Sequence, residues 1–242
     1  MTAPATPEPA VSVVVPTYNE RENISRLISE TLLHVPDAEV IVVDDDSPDG
    51  TSEEVTSKWG HDARVRLIRR VNERGLPSAL ADGMAAARGK RIAWLDADFN
   101  MKPDFLPVLF DALDNADIAA ASRYVPGGED GRRDRLRVWG SAAANMVARA
   151  LLGGAVRDYT SGLMAARRET IQQIPLGRHY RHGDYCIDFL YRAHRAGLRI
   201  KEIPHRCLDR QVGETKTAAT VGEFLSLGSA YIRTILELRL RS

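Results

Sequence analysis

The 242-residue chain is short of cysteine, has no net charge and carries no long apolar run, and each shortage removes a class of protein. Cys186 and Cys207 stand far apart without C-x-x-C spacing, which argues against a disulfide framework and a cysteine metal site and fits a reducing cytoplasm. Lys plus Arg and Asp plus Glu number 33 each, so no overall field draws the chain to nucleic acid or to an anionic surface. Electrostatic recognition has to be local. No stretch approaches the ~20 apolar residues of a membrane span, and the opening MTAPATPEPA has neither a basic n-region nor an apolar h-region. The expectation is a cytoplasmic protein, peripheral at a membrane if it meets one. G-x-G-x-x-G does not follow the first strand and no Walker sequence occurs, which argues against a dinucleotide cofactor.

With 44% hydrophobic residues the chain can bury a full core, and its length fits one large α/β domain. Residues 1–10 are small and proline-rich and read as a disordered leader. The run Val11 to Pro16 is continuous and β-branched, as a strand buried on both faces of a parallel sheet should be. Asn19 and Glu22 then have capping-box spacing, ahead of a helical pattern at Ile24, Leu27, Ile28 and Leu32. Strands at 39–44, 65–70 and 91–96 alternate with helices at 51–59 and 78–88, which implies right-handed βαβ units on a mostly parallel, Rossmann-like sheet flanked by helices. A less regular second half follows, with a loop at 123–135, a helix to about Leu152, another at 184–196 and a strand at 199–204. The division expected is a domain at 11–216, with a donor half at about 11–122 and an acceptor half at about 123–216. An amphipathic C-terminal helix at 217–242 completes it.

Ligands of an open parallel sheet bind beyond the carboxyl ends of its strands, and those ends are acidic here: PTYNE (16–20), DDDSPDG (44–50) and DADFN (96–100). Such loops suit hydroxyls, base N–H groups and metal ions better than bare phosphates. Asp96 and Asp98 flank the small Ala97 at a strand exit, a pattern suited to one Mg²⁺ or Mn²⁺ ion that stabilises a departing diphosphate. Three adjacent aspartates repel one another, so either Asp44 or Asp45 is assigned to nucleotide recognition, while Pro48 to Thr51 read as a turn and helix start. Arg123 follows the fifth strand at the same sheet edge, where a guanidinium can face a phosphate. His179 and His182 lack a nearby third ligand and read as surface or turn residues, and the cysteines as packing residues. In the C-terminal stretch Phe224, Leu225, Tyr231, Ile232, Ile235 and Leu236 recur at helical spacing beside arginines. That pattern docks against the domain or lies in a membrane interface.

VSVVVPTYNERENI, VVDDDSPDGT, LDADF, SRYVPGG, TSGLMAARRE, LYRAHRAG and DRQVGETK stand in the order in which similar blocks occur in the polyprenol-phosphate (dolichol-phosphate) mannosyltransferases of glycosyltransferase family 2, and the chain resembles that family from about Val11 to Lys216. The resemblance implies a GT-A fold and inverting transfer of mannose from GDP-mannose to a polyprenyl monophosphate. It implies Pro16, Tyr18, Glu20 and Asp45 around the nucleoside, and Asp96, Ala97 and Asp98, with Asn100, at the metal and diphosphate. Arg123 and Arg137 face the acceptor phosphate, with Arg132, Arg133 and Arg135 competing for the second place and Asp188 on the acceptor side. Arg210 and Lys216 form a lid over the diphosphate. Departures lie at Phe99 to Pro103, at Cys186 and Asp188 and at Pro77, on the sugar and acceptor side. A UDP-sugar enzyme of the same family with a soluble acceptor is therefore the alternative, followed by a nucleotidyltransferase, against which the glycine-poor PTYNERENI speaks, and a non-catalytic nucleotide-sugar binder.

Overall fold

The computed structural model describes residues 9–209 and 221–241. Strand β1 (Val11–Thr17) is buried along its whole length because both faces of the sheet are covered. Val13 and Val15 pack with Ile24, Leu27 and Ile28 of helix α1 (Arg21–His34), while Val14 packs in the opposite layer with Ala79 and Leu80 of α3 (Leu76–Ala86). The period of two along one strand thus feeds two cores.

The sheet continues through β2 (Ala38–Asp44), β3 (Val65–Arg69) and β4 (Arg91–Trp94), with α2 (Thr51–Trp59) between β2 and β3. After α4 (Leu106–Ala112) come β5 (Ile118–Ser122), the two-residue β6 (Glu129–Asp130) and α5 (Arg135–Leu152). Strand β7 (Met164–Arg167), helices α6 (Arg168–Gln173) and α7 (Asp184–Arg195), strands β8 (Ile200–Pro204) and β9 (Arg206–Cys207) and helix α8 (Val221–Leu240) complete the described chain. The seven-stranded order is β3-β2-β1-β4-β7-β5-β8; β7 runs antiparallel to both neighbours and the other pairings are parallel. Helices α1, α2 and α4 supply one layer and α3, α5, α6, α7 and α8 the other. Strands β6 and β9 form a separate parallel pair.

The reversal at β7 is the feature that the sequence pattern does not carry. The short β7 is inserted between β4 and β5, where Met164 pairs with Trp94 on one side and Ala120 on the other.

The capping box expected at Asn19 and Glu22 does not form. Helix α1 is capped at Glu20 without a side-chain bond, and Asn19 takes a left-handed conformation at φ 55°, one that Asn tolerates better than most residues. The Asn19 and Glu20 amides instead donate to Ser47 Oγ and Thr51 Oγ1, at 2.9 and 3.0 Å, tying the entry of α1 to the loop after β2.

A cleft at the strand ends joins acidic loops, arginines and an apolar channel

A cleft of about 1080 Å³ opens at the carboxyl ends of β1 and β4. Pro16, Tyr18, Glu20, Asp96, Ala97, Asp98 and Asn100 line one end. Pro16 lies past the last β1–β4 partner, Val14 opposite Trp94, where a missing N–H costs no ladder bond on that side. Arg74 covers Tyr18: its guanidinium is 4.9 Å from the ring centroid and donates to the phenol oxygen at 3.3 Å. This stacking arginine follows β3 in a stretch that the sequence reading left without a role.

Phe99 turns the acidic loop. It is buried, takes φ 58°, and has Arg26 over its ring at 4.6 Å. The turn lets the Asn100 backbone N–H and Nδ2 donate back to Asp98 Oδ1 and Oδ2 at 3.0 and 2.8 Å. Asn100 Oδ1 is left as a buried acceptor with no hydrogen-bond partner. Gly162 lies beside Asp96, where an added Cβ would stand 3.6 Å from Oδ2 and fill space next to the carboxylate. The described residues hold no cluster of three or more His, Cys, Asp or Glu that could hold a metal. Two carboxylates and an orphaned amide oxygen are a hard donor set, suited to a divalent cation that takes its other ligands from a diphosphate and water.

Asp44 and Asp45 do not line this cleft. Asp44 is fully buried and accepts from Thr17 Oγ1, the Ser47 N–H and hydroxyl, and Ser52 Oγ, so it holds the loop together from inside. A nucleotide would find neither of its oxygens exposed, and the structure turns this candidate donor ligand into a scaffold residue. Asp45 holds Arg70 through Nε at 2.7 Å and the Gly75 N–H at 2.8 Å, and so anchors the loop that carries Arg74.

Arg123, Arg132 and Arg137 line the cleft as well. Gly128 lets the loop after β5 fold back on itself, since a Cβ there would meet Ser122 O at 2.4 Å. Arg123 is not the open guanidinium that the sequence suggests. Its Nε and Nη2 grip both oxygens of the buried Asp158 at 2.8 Å, Nη2 also reaches Thr160 Oγ1 at 2.7 Å, and Nη1 lies 3.3 Å from Asp130. Burial pushes against the charge, but the bonds to Asp158 outweigh it and hold the Arg123 pKa above its ordinary value. Arg137 pairs with Asp134, the N-cap of α5, at 3.0 Å. Arg133, with a side chain 95% exposed, and Arg135, also exposed, lie outside the cleft.

Asp188, expected on the acceptor side, is buried in α7, pairs with Arg192 at 2.7 Å and does not line the cleft. Cys186, two residues earlier in α7, does; burial raises its thiol pKa and keeps it a neutral packing group. His182 and His205 line the cleft as well. Burial, the largest influence, lowers the His205 pKa, and its ring packs edge-on against Phe105 at 4.7 Å. Arg210 and Lys216 lie outside the described residues.

Along α5 and α8 the same cleft is lined by Ala143, Ala144, Val147, Gly228, Ile232 and Leu236, with Arg233 and Glu237 beside them. Residues 12–174 match the glycosyl transferase family 2 model. The chain belongs to glycosyltransferase family 2. It is 34% identical over 218 residues to an undecaprenyl-phosphate mannosyltransferase of Micrococcus luteus, covering 88% of this chain and 90% of that one. It is 36% identical over 226 residues to a polyprenol monophosphomannose synthase of Mycolicibacterium smegmatis, covering 90% and 85%. A dolichol-phosphate mannosyltransferase of Pyrococcus furiosus is 40% identical over 174 residues, 69% of this chain and 48% of the longer relative. Among solved structures, glucosyl-3-phosphoglycerate synthase of Mycobacterium tuberculosis, in complex with Mn²⁺, UDP and glucosyl-3-phosphoglycerate, superposes with a TM-score of 0.70 at 23% identity. That likeness covers 95% of this chain and 79% of the other, and it shows the fold, a GT-A-like arrangement. The chain is thus a glycosyltransferase whose family matches span the acidic end of the cleft.

Proposed function

We propose that this glycosyltransferase moves mannose from GDP-mannose onto a polyprenyl monophosphate, with inversion at the sugar. The observation that carries the reading is the continuity of one cleft, which takes in the Asp96–Asp98 loop, Arg132 and Arg137 and an apolar channel along α5 and α8. A soluble sugar acceptor has no use for such a channel, whereas an isoprenoid chain buries its methyl and methylene groups there at about 25 cal/mol per Å². The mannosyltransferase names of the relatives at 34% and 36% identity support the sugar.

In this reading Pro16, Tyr18 and Glu20 hold the nucleoside under Arg74, and Asp45 acts through the loop it anchors. Asp96, Asp98 and Asn100 hold a Mg²⁺ or Mn²⁺ ion, which supplies charge neutralisation for the departing diphosphate. Arg210 and Lys216 are assigned to the same diphosphate. A phosphate monoester, with a second pKa of about 6, is already a dianion at neutral pH. The protein therefore has no proton to remove and needs only to hold one phosphate oxygen in line with the anomeric carbon. Arg137, in the cleft wall, orients that phosphate, and Arg123 fixes the floor beneath it through Asp158 and Thr160.

The acceptor reading extends to the outer surface. Leu136, Trp139 and Met146 on α5 and Ile232, Leu236 and Leu240 on α8 are exposed, Trp139 at 71% and Leu240 at 87%. Arg135, Arg149, Arg233 and Arg239 are exposed beside them. Among the described residues no helix is long and apolar enough to cross a membrane, so this face is assigned to reversible contact at the interface that holds the acceptor. The test is a panel of GDP- and UDP-sugars offered with farnesyl phosphate or with soluble sugars. Transfer from GDP-mannose to farnesyl phosphate supports the proposal; transfer only from a UDP-sugar to a soluble acceptor replaces it.

A further inference from the structure

Asp130 lies between two of the four arginines that line the cleft, Arg123 and Arg132. Its side chain is 5% exposed, and strand β6, which carries it, is pinned to β9 by the Glu129 N–H on His205 O at 3.0 Å and the Gly131 N–H on Cys207 O at 2.9 Å. Arg132 closes a two-bond fork on this carboxylate, Nε to Oδ1 at 2.8 Å and Nη2 to Oδ2 at 2.7 Å, and Nη2 also donates to Ser141 Oγ of α5 at 3.0 Å. One edge of the guanidinium is therefore fixed to a strand and to a helix. The other edge differs: Nη1, with two N–H groups, makes no hydrogen bond among the described residues, although the side chain is only 19% exposed and lines the cleft.

A planar cation held along one edge and offering two donors from the other is a receptor for oxygens of an anion, with little conformational freedom left to lose. Arg123 is less open to such a ligand: Asp158 and Thr160 take its Nε and Nη2, and its Nη1, unlike that of Arg132, also donates to Asp130 Oδ2 at 3.3 Å. Arg133 and Arg135 lie outside the cleft. The backbone carbonyl of Arg137 is 3.5 Å from Arg132 Nη2, so the two cleft-lining arginines are neighbours across the start of α5.

We propose that Arg132, oriented by Asp130, is an acceptor-phosphate ligand beside Arg137, and that Asp130 is the positioning residue that makes it one. The inference rests on the phosphate-acceptor reading above. The plainer role, a brace between β6 and α5, predicts stability effects alone, so the two separate in kinetics. Burial opposes both charges, yet the Arg132–Asp130 bonds lower the Asp130 pKa and raise that of Arg132, so the pair stays ionised across the assay range.

The experiment compares Arg132→Lys, which keeps the charge and loses the fork, and Asp130→Asn, which keeps the shape and loses the charge, with Arg133→Ala as a surface control. KM for farnesyl phosphate, KM for GDP-mannose and competitive inhibition by farnesol are measured for each. Arg132→Lys should raise the farnesyl phosphate KM about tenfold or more, the scale of one charge-assisted fork, and should leave the GDP-mannose KM and the farnesol inhibition constant within about twofold. Asp130→Asn should move the same constant in the same direction. If Arg132→Lys does not fold, Ser141→Ala, which removes only the tether to α5, should give a smaller rise in the same constant. An unchanged farnesyl phosphate KM, or a parallel rise in all three constants, would overturn the assignment and leave a brace. Failure of the unsubstituted enzyme to use farnesyl phosphate at all would overturn the acceptor reading and this inference together.

Discussion

Asp158→Asn should destabilise the enzyme more than any exposed substitution, because it breaks a buried charge pair from one side. Asp158 is fully buried, and its oxygens accept from Arg123 N, Nε and Nη2 and from the Thr160 N–H. With an amide in its place, an –NH₂ group faces guanidinium donors and Arg123 keeps Asp130, at 3.3 Å, as its remaining carboxylate. Removing one partner of a buried ion pair costs about 3–5 kcal/mol. The surviving contact to Asp130 places the loss near the lower end, about 3 kcal/mol, or about 6–12 °C in Tm for a chain of this size. Urea unfolding of Asp158→Asn, Arg123→Met and the double variant measures it. The double variant should lose less than the sum of the singles, by roughly 0.5–3 kcal/mol, since each single strands the other's charge. A loss below about 1 kcal/mol for Asp158→Asn with an unchanged urea dependence, or strict additivity, would refute the view of Arg123 as a buried anchor.

The remaining expectations are narrower. Asp98→Ala should abolish transfer, and calorimetry of GDP with Mn²⁺ and with chelator should show metal-dependent binding in the parent and equal, weak binding in the variant; equal affinity in the parent under both conditions contradicts the metal assignment. Arg210→Ala and Lys216→Ala should raise donor KM and lower kcat together; normal steady-state constants remove these residues from the diphosphate site. Burial opposes ionisation of Glu39, but the Ser12 hydroxyl and Arg88 outweigh it and hold its carboxyl below the usual 4.5. Its stabilisation is then complete above 4.5 and fades as pH falls through the lowered value, so the stability gap between the parent and Glu39→Gln should narrow on acidification below 4.5 in urea titrations; a gap that widens on acidification contradicts the sign. Trp139→Asp with Leu240→Asp should weaken binding to phosphatidylglycerol vesicles at least tenfold in sedimentation, as expected for two large apolar side chains worth about 1.5–3 kcal/mol each; unchanged binding moves the membrane face elsewhere.

The sequence exposes the parts of this fold that depend on local pattern. Val11 to Val15 can only be a strand covered on both faces, and the acidic loops at 16–20 and 96–100 reach one cleft because parallel strands deliver their carboxyl ends to one edge. What stays hidden depends on partners distant in the chain. Asp44 looks like a ligand until Thr17, 27 residues away, and Ser52 are found on its oxygens. Arg123 looks open until Asp158 arrives from 35 residues further on. The left-handed turns at Asn19 and Phe99 follow from tertiary bonds to Ser47 and from Arg26 over the Phe99 ring, neither of which leaves a periodic trace. Arg132, Arg133 and Arg135 compete on equal terms in the sequence, and only the pairing of β6 with β9 and the buried Asp130 separate Arg132 from Arg133.

The central claim is transfer to a lipid phosphate that attacks without a protein base and inverts the sugar. It is tested most directly by the anomeric configuration of the product from GDP-α-mannose and farnesyl phosphate, read from one-bond ¹³C–¹H coupling at the anomeric carbon. The account predicts β-mannosyl farnesyl phosphate, formed at a rate independent of pH above the second phosphate pKa of about 6. An α-linked product, or a rate that follows a side-chain pKa well above that value, would contradict it.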